Sequence, residues 1–350
     1  MRIGLFGLPT AGKTYIMDRI DFLTVLRGGK LLRTIDPDFD KRDESGREKA
    51  RKAAANYVLS SDNFIMDGHY AFGDEIAFTE EEGEMYDIYI YLYIDPALLE
   101  KRMKASERNS RWLGFNIKQW QDLEIDRLRE YCHLNNKDFY VVDNPPEFSS
   151  EDTDKVISFI RDVTKGYSCL NYAKECANEI LRRSVDEIIV LLDGDKTLTI
   201  EDSSNKVFGY KTHLYDGNFY TGYQAWKQGI EFNNYKIPIL TGIPITINKN
   251  VYDKLTGSSY ILTSGNCKVW SYISDTLNIP FFCGNQMSAE TKYFITKVLQ
   301  DAGKTIVAYG DGMNDYYMLK QADKGVLVKK TDGRISRSLK GRDLEGIEFV

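Results

Sequence analysis

Short apolar runs alternate with longer stretches of helical periodicity over residues 1–165, the pattern of a parallel sheet covered by helices. The runs 2-RIGLFG-7, 31-LLRTID-36, 63-NFIMD-67, 88-IYIYLYI-94 and 138-DFYVVD-143 predict strands, each stopping near a Gly, Pro or Asp. Residues 96–105 and 117–134 predict helices between them. Residues 151–185 read as helical, with no Pro and a single glycine, Gly166, and are expected to connect two domains. A second set of apolar runs then begins: 187-EIIVLLD-193, 259-SYILTS-264, 304-KTIVAYGD-311 and 325-GVLV-328. Helices are expected around 267–277, 289–302 and 313–322. Between the first two of these runs, from about 200 to 257, lies an insert rich in Tyr, Phe and Gly. No internal repeat or low-complexity tract is present. The expected organisation is a first domain over 1–165, a helical connection over 166–186 and a second domain over 187–350 that carries the insert. The fold class is α/β, with two doubly wound parallel-sheet domains.

The 350 residues are ample for two separate cores. Hydrophobic residues make up 42% and charged residues 28%, which excludes a disordered chain. The formal net charge of −6 supplies no global field toward nucleic acid and leaves room only for a local basic groove. The five cysteines (Cys132, Cys169, Cys176, Cys267, Cys283) form no CxxC pair, and their number is odd. A reduced intracellular protein with buried thiols is expected, in the cytoplasm. No apolar run approaches the roughly 18 residues of a membrane span, and the N-terminal run is too short for a signal peptide.

Two stretches carry chemistry. The first is Gly7-Leu8-Pro9-Thr10-Ala11-Gly12-Lys13-Thr14, which fits GxxxxGK[ST] in full between a predicted strand and a predicted helix. Glycines Gly7 and Gly12 let backbone N–H groups approach phosphates. Lys13 reaches the β- and γ-phosphates of ATP, and the Thr14 hydroxyl holds Mg²⁺. Together with 95-DPALLEKRMKASERNSR-111, this domain resembles the small P-loop kinases of the adenylate-kinase-like group over most of residues 1–145. The resemblance implies a lid helix whose arginines stabilise the phosphoryl group in flight, here Arg102, Arg108 and Arg111. Asp36 and Asp38, after the second predicted strand, are placed to contact the acceptor or take its proton. Asp67 is placed to support Mg²⁺, touch substrate or cap a turn, and His69 is a substrate contact or a structural residue.

The second stretch is Asp193-Gly194-Asp195-Lys196-Thr197, which matches DxDxT, the opening motif of the haloacid dehalogenase superfamily. Ser264 (or Thr263), Lys292 and 310-GDGMND-315 follow in the order of that family's later motifs. The spacing most resembles the phosphoserine-phosphatase-like branch, whose cap lies between the first and second motifs. The resemblance implies that Asp193 attacks phosphorus to form an aspartyl-phosphate. Asp195 protonates the leaving oxygen and then activates water, while Ser264 and Lys292 bind the phosphoryl oxygens. Mg²⁺ would be held by Asp193, the Asp195 carbonyl and Asp311, with Asp315 supporting that shell and Thr197 orienting the loop. One departure is Lys196, at a position often occupied by Gly in the superfamily. Phe208, Tyr210, Tyr215, Phe219, Tyr220, Tyr223 and Trp226 of the insert line a substrate pocket or form the cap's own core.

Three readings follow. The first is an ATP-dependent kinase of a small molecule or nucleotide joined to a Mg²⁺-dependent phosphatase. The order of the halves also resembles the phage type of polynucleotide kinase-phosphatase, which implies nucleic-acid end healing. A large cap and the acidic balance disfavour that, and the basic run 41-KRDESGREKARK-52 reads as a solvated helix face. The third is a regulatory protein whose first half senses ATP.

Overall fold

The computed structural model describes residues 1–73, 75–143, 149–208, 219–233 and 245–350. It is an α/β protein that divides into two compact units, Met1–Tyr167 and Ser168–Val350.

In the first unit the strands are β1 (Arg2–Phe6), β2 (Thr24–Leu26), β3 (Phe64–Asp67), the short pair β4 (Ala71–Phe72) and β5 (Glu75–Ile76), β6 (Ile88–Tyr93) and β7 (Asp138–Asp143). Five of them form one parallel sheet in the order β2-β3-β1-β6-β7. A parallel sheet covered on both faces has no solvent side, so its strands read as continuous apolar runs rather than alternating ones. β6 meets that demand with IYIYLY, of which all but Tyr93 are buried. The helices are α1 (Lys13–Met17), α2 (Gly28–Ile35), α3 (Glu44–Val58), α4 (Glu80–Glu84), α5 (Pro96–Lys104), α6 (Ile117–Leu134) and α7 (Ser150–Thr164). α6 is fastened to the sheet by Gln121, whose amide donates to and accepts from the backbone of Ile94 just beyond β6.

Here one predicted element is corrected. Residues 31–36, expected as a strand, belong to helix α2, and the strand is Thr24–Leu26. Leu31, Leu32 and Ile35 fall on one face at helical spacing and are only half buried, so they suit an amphipathic surface helix better than an interior strand. The Asp67 carboxylate fixes its start by accepting the Gly28 N–H at 2.8 Å. The predicted helix 151–185 is two helices. α7 ends where Gly166 turns left-handed at φ 105°, which L side chains disfavour. α8 (Cys169–Arg183) then restarts with Ser168 as its cap.

The second unit holds β8 (Ile188–Leu192), β9 (Ser259–Thr263), β10 (Phe281–Cys283), β11 (Thr305–Gly310), β12 (Lys324–Leu327) and β13 (Glu348–Phe349). They form one parallel sheet in the order β10-β9-β8-β11-β12-β13. Its helices are α8, α9 (Ser203–Phe208), α10 (Gly222–Asn233), α11 (Lys249–Tyr252), α12 (Cys267–Leu277), α13 (Ala289–Asp301) and α14 (Tyr316–Gln321). Ala173, Ala177 and Ile180 of α8 pack with Phe294, Ile295 and Leu299 of α13 on one face. Val269, Trp270 and Ile273 of α12 cover the other. The helix expected as a connection is therefore part of this core. The two ends of the insert are joined by an antiparallel bridge between Thr199 and Ile247.

Cys267 and Cys283 form a disulfide, with Cα atoms 5.7 Å apart, which corrects the expectation of five reduced thiols. Cys132, Cys169 and Cys176 are buried. No helix of the described residues is long and apolar enough to cross a membrane.

If α8 is core rather than tether, Ile180→Ala leaves a void beneath β8. Hydrogen exchange should then show the amides of Ile189–Leu192 opening about 2–5 kcal/mol more easily, with β1 and β6 unaffected.

Candidate active sites

Asp193 leaves the carboxyl end of β8, an interior strand, with its N–H bonded to the Tyr309 carbonyl of β11 at 2.9 Å. The chain then kinks through Gly194–Leu198, where Asp195 and Lys196 leave the helical region. A Cβ on Gly194 would stand 2.4 Å from the Trp270 ring, so the approach of this turn to α12 requires glycine. Lys196 takes a left-handed φ of 64°, the conformation that explains why glycine suits this position. Its ammonium pairs with Asp202 at 2.9 Å.

Lys292, fully buried on α13, reaches Asp193 at 2.6 Å and Asp315 at 2.7 Å. The second oxygen of Asp315 accepts the N–H groups of Asp311 and Gly312. The Thr197 hydroxyl donates to Asp193 at 3.3 Å. Ser264 donates to the Met287 carbonyl and accepts from Asn314, at 2.6 and 2.8 Å. The Thr263 hydroxyl instead accepts the Gly265 N–H, which leaves Ser264 as the residue facing Asn314. Oxygens of Asp193, Asp311 and Asp315 lie within 4.8 Å of one another.

Burial, with Asp315 beside it, pushes the Asp193 carboxyl up to about 7 even though Lys292 opposes the shift. Burial, Asp315 and Asp193 raise Asp311 as well. Burial lowers the Lys292 ammonium, but Asp193 and Asp315 outweigh it and the net shift is upward. The mutual repulsion that raises these carboxyls is what a divalent cation would relieve, since three carboxylates stand against one ammonium. The Asn314 Oδ1 is buried without a partner and offers one more oxygen. The residues therefore fit Mg²⁺. Asp195 stands apart from this group. Its carboxylate accepts the Ser203 N–H at 2.6 Å and the Trp270 indole N–H at 3.4 Å. Burial and Asp202 push it up to about 6.

In the insert, Tyr223 and Trp226 are buried and stack at 6.0 Å. Phe208, Phe219 and Tyr220 are half buried. Tyr210 and Tyr215 lie outside the described residues.

In the first unit, the Gly7–Thr14 loop leaves β1 with Gly7 at φ 142°, where a Cβ would meet the Leu92 carbonyl at 2.8 Å. Gly12 is also left-handed and precedes α1. Lys13 is buried and folded back across its own loop. Its ammonium donates to the carbonyls of Gly7 and Leu8 and lies 3.4 Å from the His69 Nε2. Burial brings it down to about 8, with Glu124 and Asp67 opposing. Thr14 is exposed at the first turn of α1. Two polar atoms beside this loop, the Thr10 hydroxyl and the His69 Nδ1, are buried without partners. Orphans of that kind are rare in native structures unless a ligand or water satisfies them. The loop therefore fits a bound polyphosphate.

The lid arginines do not share one helix. α5 stops at Lys104, and beyond it Asn109 donates its side-chain amide to the Ser106 hydroxyl at 2.9 Å within a run of turns. Arg102 lies in its last turn. Arg108 follows in a turn, close enough to act on both His69 and Asp40. Arg111 stacks over Trp112 at 4.6 Å. Asp36 ends α2 rather than a strand, and its carboxylate takes the Arg42 fork, which holds it below the usual range. Asp38 pairs with Lys41, and Asp67 caps α2.

Glu124 is an unexpected member. It is fully buried on α6, accepts the Ala71 N–H and the Tyr91 hydroxyl at 2.9 Å each, and so braces the loop that carries His69. Burial pushes it up to about 7. Its signal was present in the sequence, since Gln121 and Glu124 fall on the same helical face as Ile117, Ile125 and Leu128.

No family model matches the chain, and no curated protein matches it. Among solved structures it is similar to the shikimate kinase from Bacteroides thetaiotaomicron, at 15% identity over 47% of this chain and 98% of that one, with a TM-score of 0.35. It is also similar to the HAD family hydrolase t0658 from Salmonella enterica subsp. enterica serovar Typhi, at 13% identity over 47% and 67%, with a TM-score of 0.31. The catalytic CPx-ATPase domain CopB-B matches at 18% identity over 49% and 87%, with a TM-score of 0.27. Likenesses at these scores carry no assignment of activity.

Two tests follow from the geometry. Mg²⁺ at 100 times its dissociation constant should stabilise the second unit by about 2.7 kcal/mol. Thermal scans of Asp311→Asn should lose that Mg²⁺-dependent rise. Glu124 holds its proton more tightly folded than unfolded, so its stability contribution is complete below its ordinary value of 4.5 and is lost as pH rises through about 7. Glu124→Gln should therefore flatten the fall in first-unit stability between pH 5 and 8, by on the order of 1–3 kcal/mol.

Proposed function

We propose that the chain is a bifunctional phosphoryl-transfer enzyme. The first unit is an ATP-dependent kinase of a small molecule or nucleotide, and the second a Mg²⁺-dependent phosphomonoesterase working through an aspartyl-phosphate. The observation that carries this reading is Asp193 itself. It is a buried carboxylate at the carboxyl end of an interior strand, held 2.6 Å from a buried lysine and within 4.8 Å of two further aspartates.

In the second unit, an Asp193 oxygen attacks phosphorus and the ester's P–O bond breaks. The leaving oxygen takes the proton of Asp195, whose raised pKa keeps it an acid near pH 6. Water then attacks the aspartyl-phosphate, gives its proton to Asp195, and releases phosphate with Asp193 regenerated. Lys292 and Ser264 hold the equatorial oxygens, and Lys292 keeps Asp193 from repelling them. Bound Mg²⁺ supplies charge neutralisation between carboxylates and phosphate. Asp195 enters this cycle by exchanging its Ser203 and Trp270 partners for substrate, which ties its chemistry to the insert, whose first helix begins at Ser203.

In the first unit, Lys13 exchanges the Gly7 and Leu8 carbonyls for phosphate oxygens of ATP. Loop N–H groups and Thr14 complete the cradle, and Arg108 faces the transferred group together with His69. Arg102 and Arg111 are further lid arginines that reach it on closure. Because Asp36 is taken by Arg42, it is not in position to accept the acceptor's proton without releasing that pair.

The test uses the full chain with Mg²⁺ and labelled ATP against two panels. One holds metabolites and nucleotides, and the other holds oligonucleotides with 5′-hydroxyl or 3′-phosphate ends. Transfer to a small acceptor should fall at least about 100-fold in Lys13→Ala, and phosphate release at least about 1,000-fold in Asp193→Asn. Label appearing on an oligonucleotide end and vanishing in Lys13→Ala would overturn the small-molecule reading in favour of end healing.

A further inference from the structure

The loop Asp311–Asp315 is backed by a segment that none of the chemistry above uses. Residues 329–342 carry six basic side chains and one acid, Asp332, within a chain whose net charge is −6. The segment is built against the carboxylate loop. Ser338 accepts the Met313 N–H at 3.0 Å and bonds Ser336 at 3.0 Å. A Cβ on Gly312 would meet the Ser338 and Ser336 hydroxyls at 3.4 and 3.7 Å. A tight turn, with Gly333 N–H on the Lys330 carbonyl and Lys330 N–H on the Arg334 carbonyl, fixes its tip. Lys330, Arg334, Ile335 and Arg337 line an open cavity of about 220 Å³ there.

The charges around it are unevenly satisfied. Neighbouring cations are paired, Lys320 with Asp343 and Lys324 with Glu348. Arg334 holds the exposed Asp332, and Lys329 sits over the Phe349 ring. Lys330 and Arg337 have no ion pair among the described residues. A solvated surface interleaves the two signs, whereas this cavity is lined by three cations, and one of them, Arg337, stands between the two serines that meet the carboxylate loop. Guanidinium and ammonium groups that line a concavity favour phosphate or carboxylate, arginine by its planar fork and lysine as a point charge.

We propose that Lys330, Arg334 and Arg337 form an anion subsite for a second phosphate or carboxylate group borne by the phosphomonoester that the second unit hydrolyses. This rests on the phosphatase reading and deepens it, since the substrate class becomes a bis-anionic small ester. The subsite works by uniform binding, so its loss raises KM and leaves the chemical step alone.

Two variants and three esters test it. Wild type and Lys330→Gln/Arg337→Gln are assayed with Mg²⁺ on para-nitrophenyl phosphate, which has no second anion, on fructose 1,6-bisphosphate, and on a 3′-phosphorylated oligonucleotide. The double variant should keep kcat/KM for para-nitrophenyl phosphate within twofold and lose at least tenfold for the bisphosphate, through KM. An equal loss on both esters, or no loss on either, overturns the subsite. A loss confined to the oligonucleotide overturns the small bis-anionic ester in favour of a phosphodiester. If para-nitrophenyl phosphate turnover does not depend on Asp193, the phosphatase reading falls instead. Calorimetry in the Asp193→Asn background then still decides the subsite. Fructose 1,6-bisphosphate should bind at least tenfold more weakly after the double substitution, with fructose 6-phosphate unchanged, and equal binding of the bisphosphate to both proteins sinks the proposal.

Discussion

The second unit is organised around one ammonium group. Lys292 is completely buried and lies between Asp193 and Asp315, under 3 Å from each. Removing a lysine from water costs several kcal/mol unless its charge is compensated in place. The compensation here comes from the carboxyl ends of two adjacent parallel strands, β8 and β11, whose loops carry the two aspartates. The helix that delivers Lys292 is α13, held against the sheet by Phe294, Ile295 and Leu299. α8 packs on α13 in turn, so the helix that leads into β8 also helps to set the position of Lys292. Asp315 serves three donors at once, Lys292 with one oxygen and two loop N–H groups with the other, and this gives the Asp311 loop its shape.

The first unit solves the reverse problem. Its loop lysine, Lys13, folds onto the carbonyls of its own loop, beside a histidine with an unpartnered nitrogen. Burial lowers both the Lys13 and the His69 pKa values. The Lys13 ammonium is held directly by neutral carbonyls. Glu124 balances that charge from the far side and also fixes the His69 loop, so the same buried carboxylate supports position and electrostatics.

Much of the fold was written in local pattern. Parallel strands buried on both faces must be apolar throughout, so β1, β3, β6, β7, β8, β9, β11 and β12 all stood out as runs, and α6 and α12 ended where their caps and apolar faces stopped. The misread elements lacked such a signature. β2 and β10 have three residues each, too short to show a period, and residues 31–36 carry apolar residues compatible with either period. The break between α7 and α8 rests on one left-handed glycine. The three-carboxylate group and Lys292 were legible from the motif order of the family that the second half resembles, and the structure brings them together from the ends of β8 and β11 and from α13. The lid was not, because the helix ends at Lys104 and the chain goes on in turns, a change that the apolar pattern does not record.

By itself, then, the sequence determined that there are two α/β halves and which residues crowd the ends of their strands, since burial of apolar runs and the spacing of charged residues are properties of the chain. The tertiary structure decided who pairs with whom. It gave Asp36 to Arg42, Arg111 to Trp112, Asp195 to Ser203 and Trp270, Cys267 to Cys283, and the basic segment after β12 to the Asp311 loop. Each of these depends on the distance between groups far apart along the chain or on which way a turn faces, and neither is fixed until the sheets and their helices have packed.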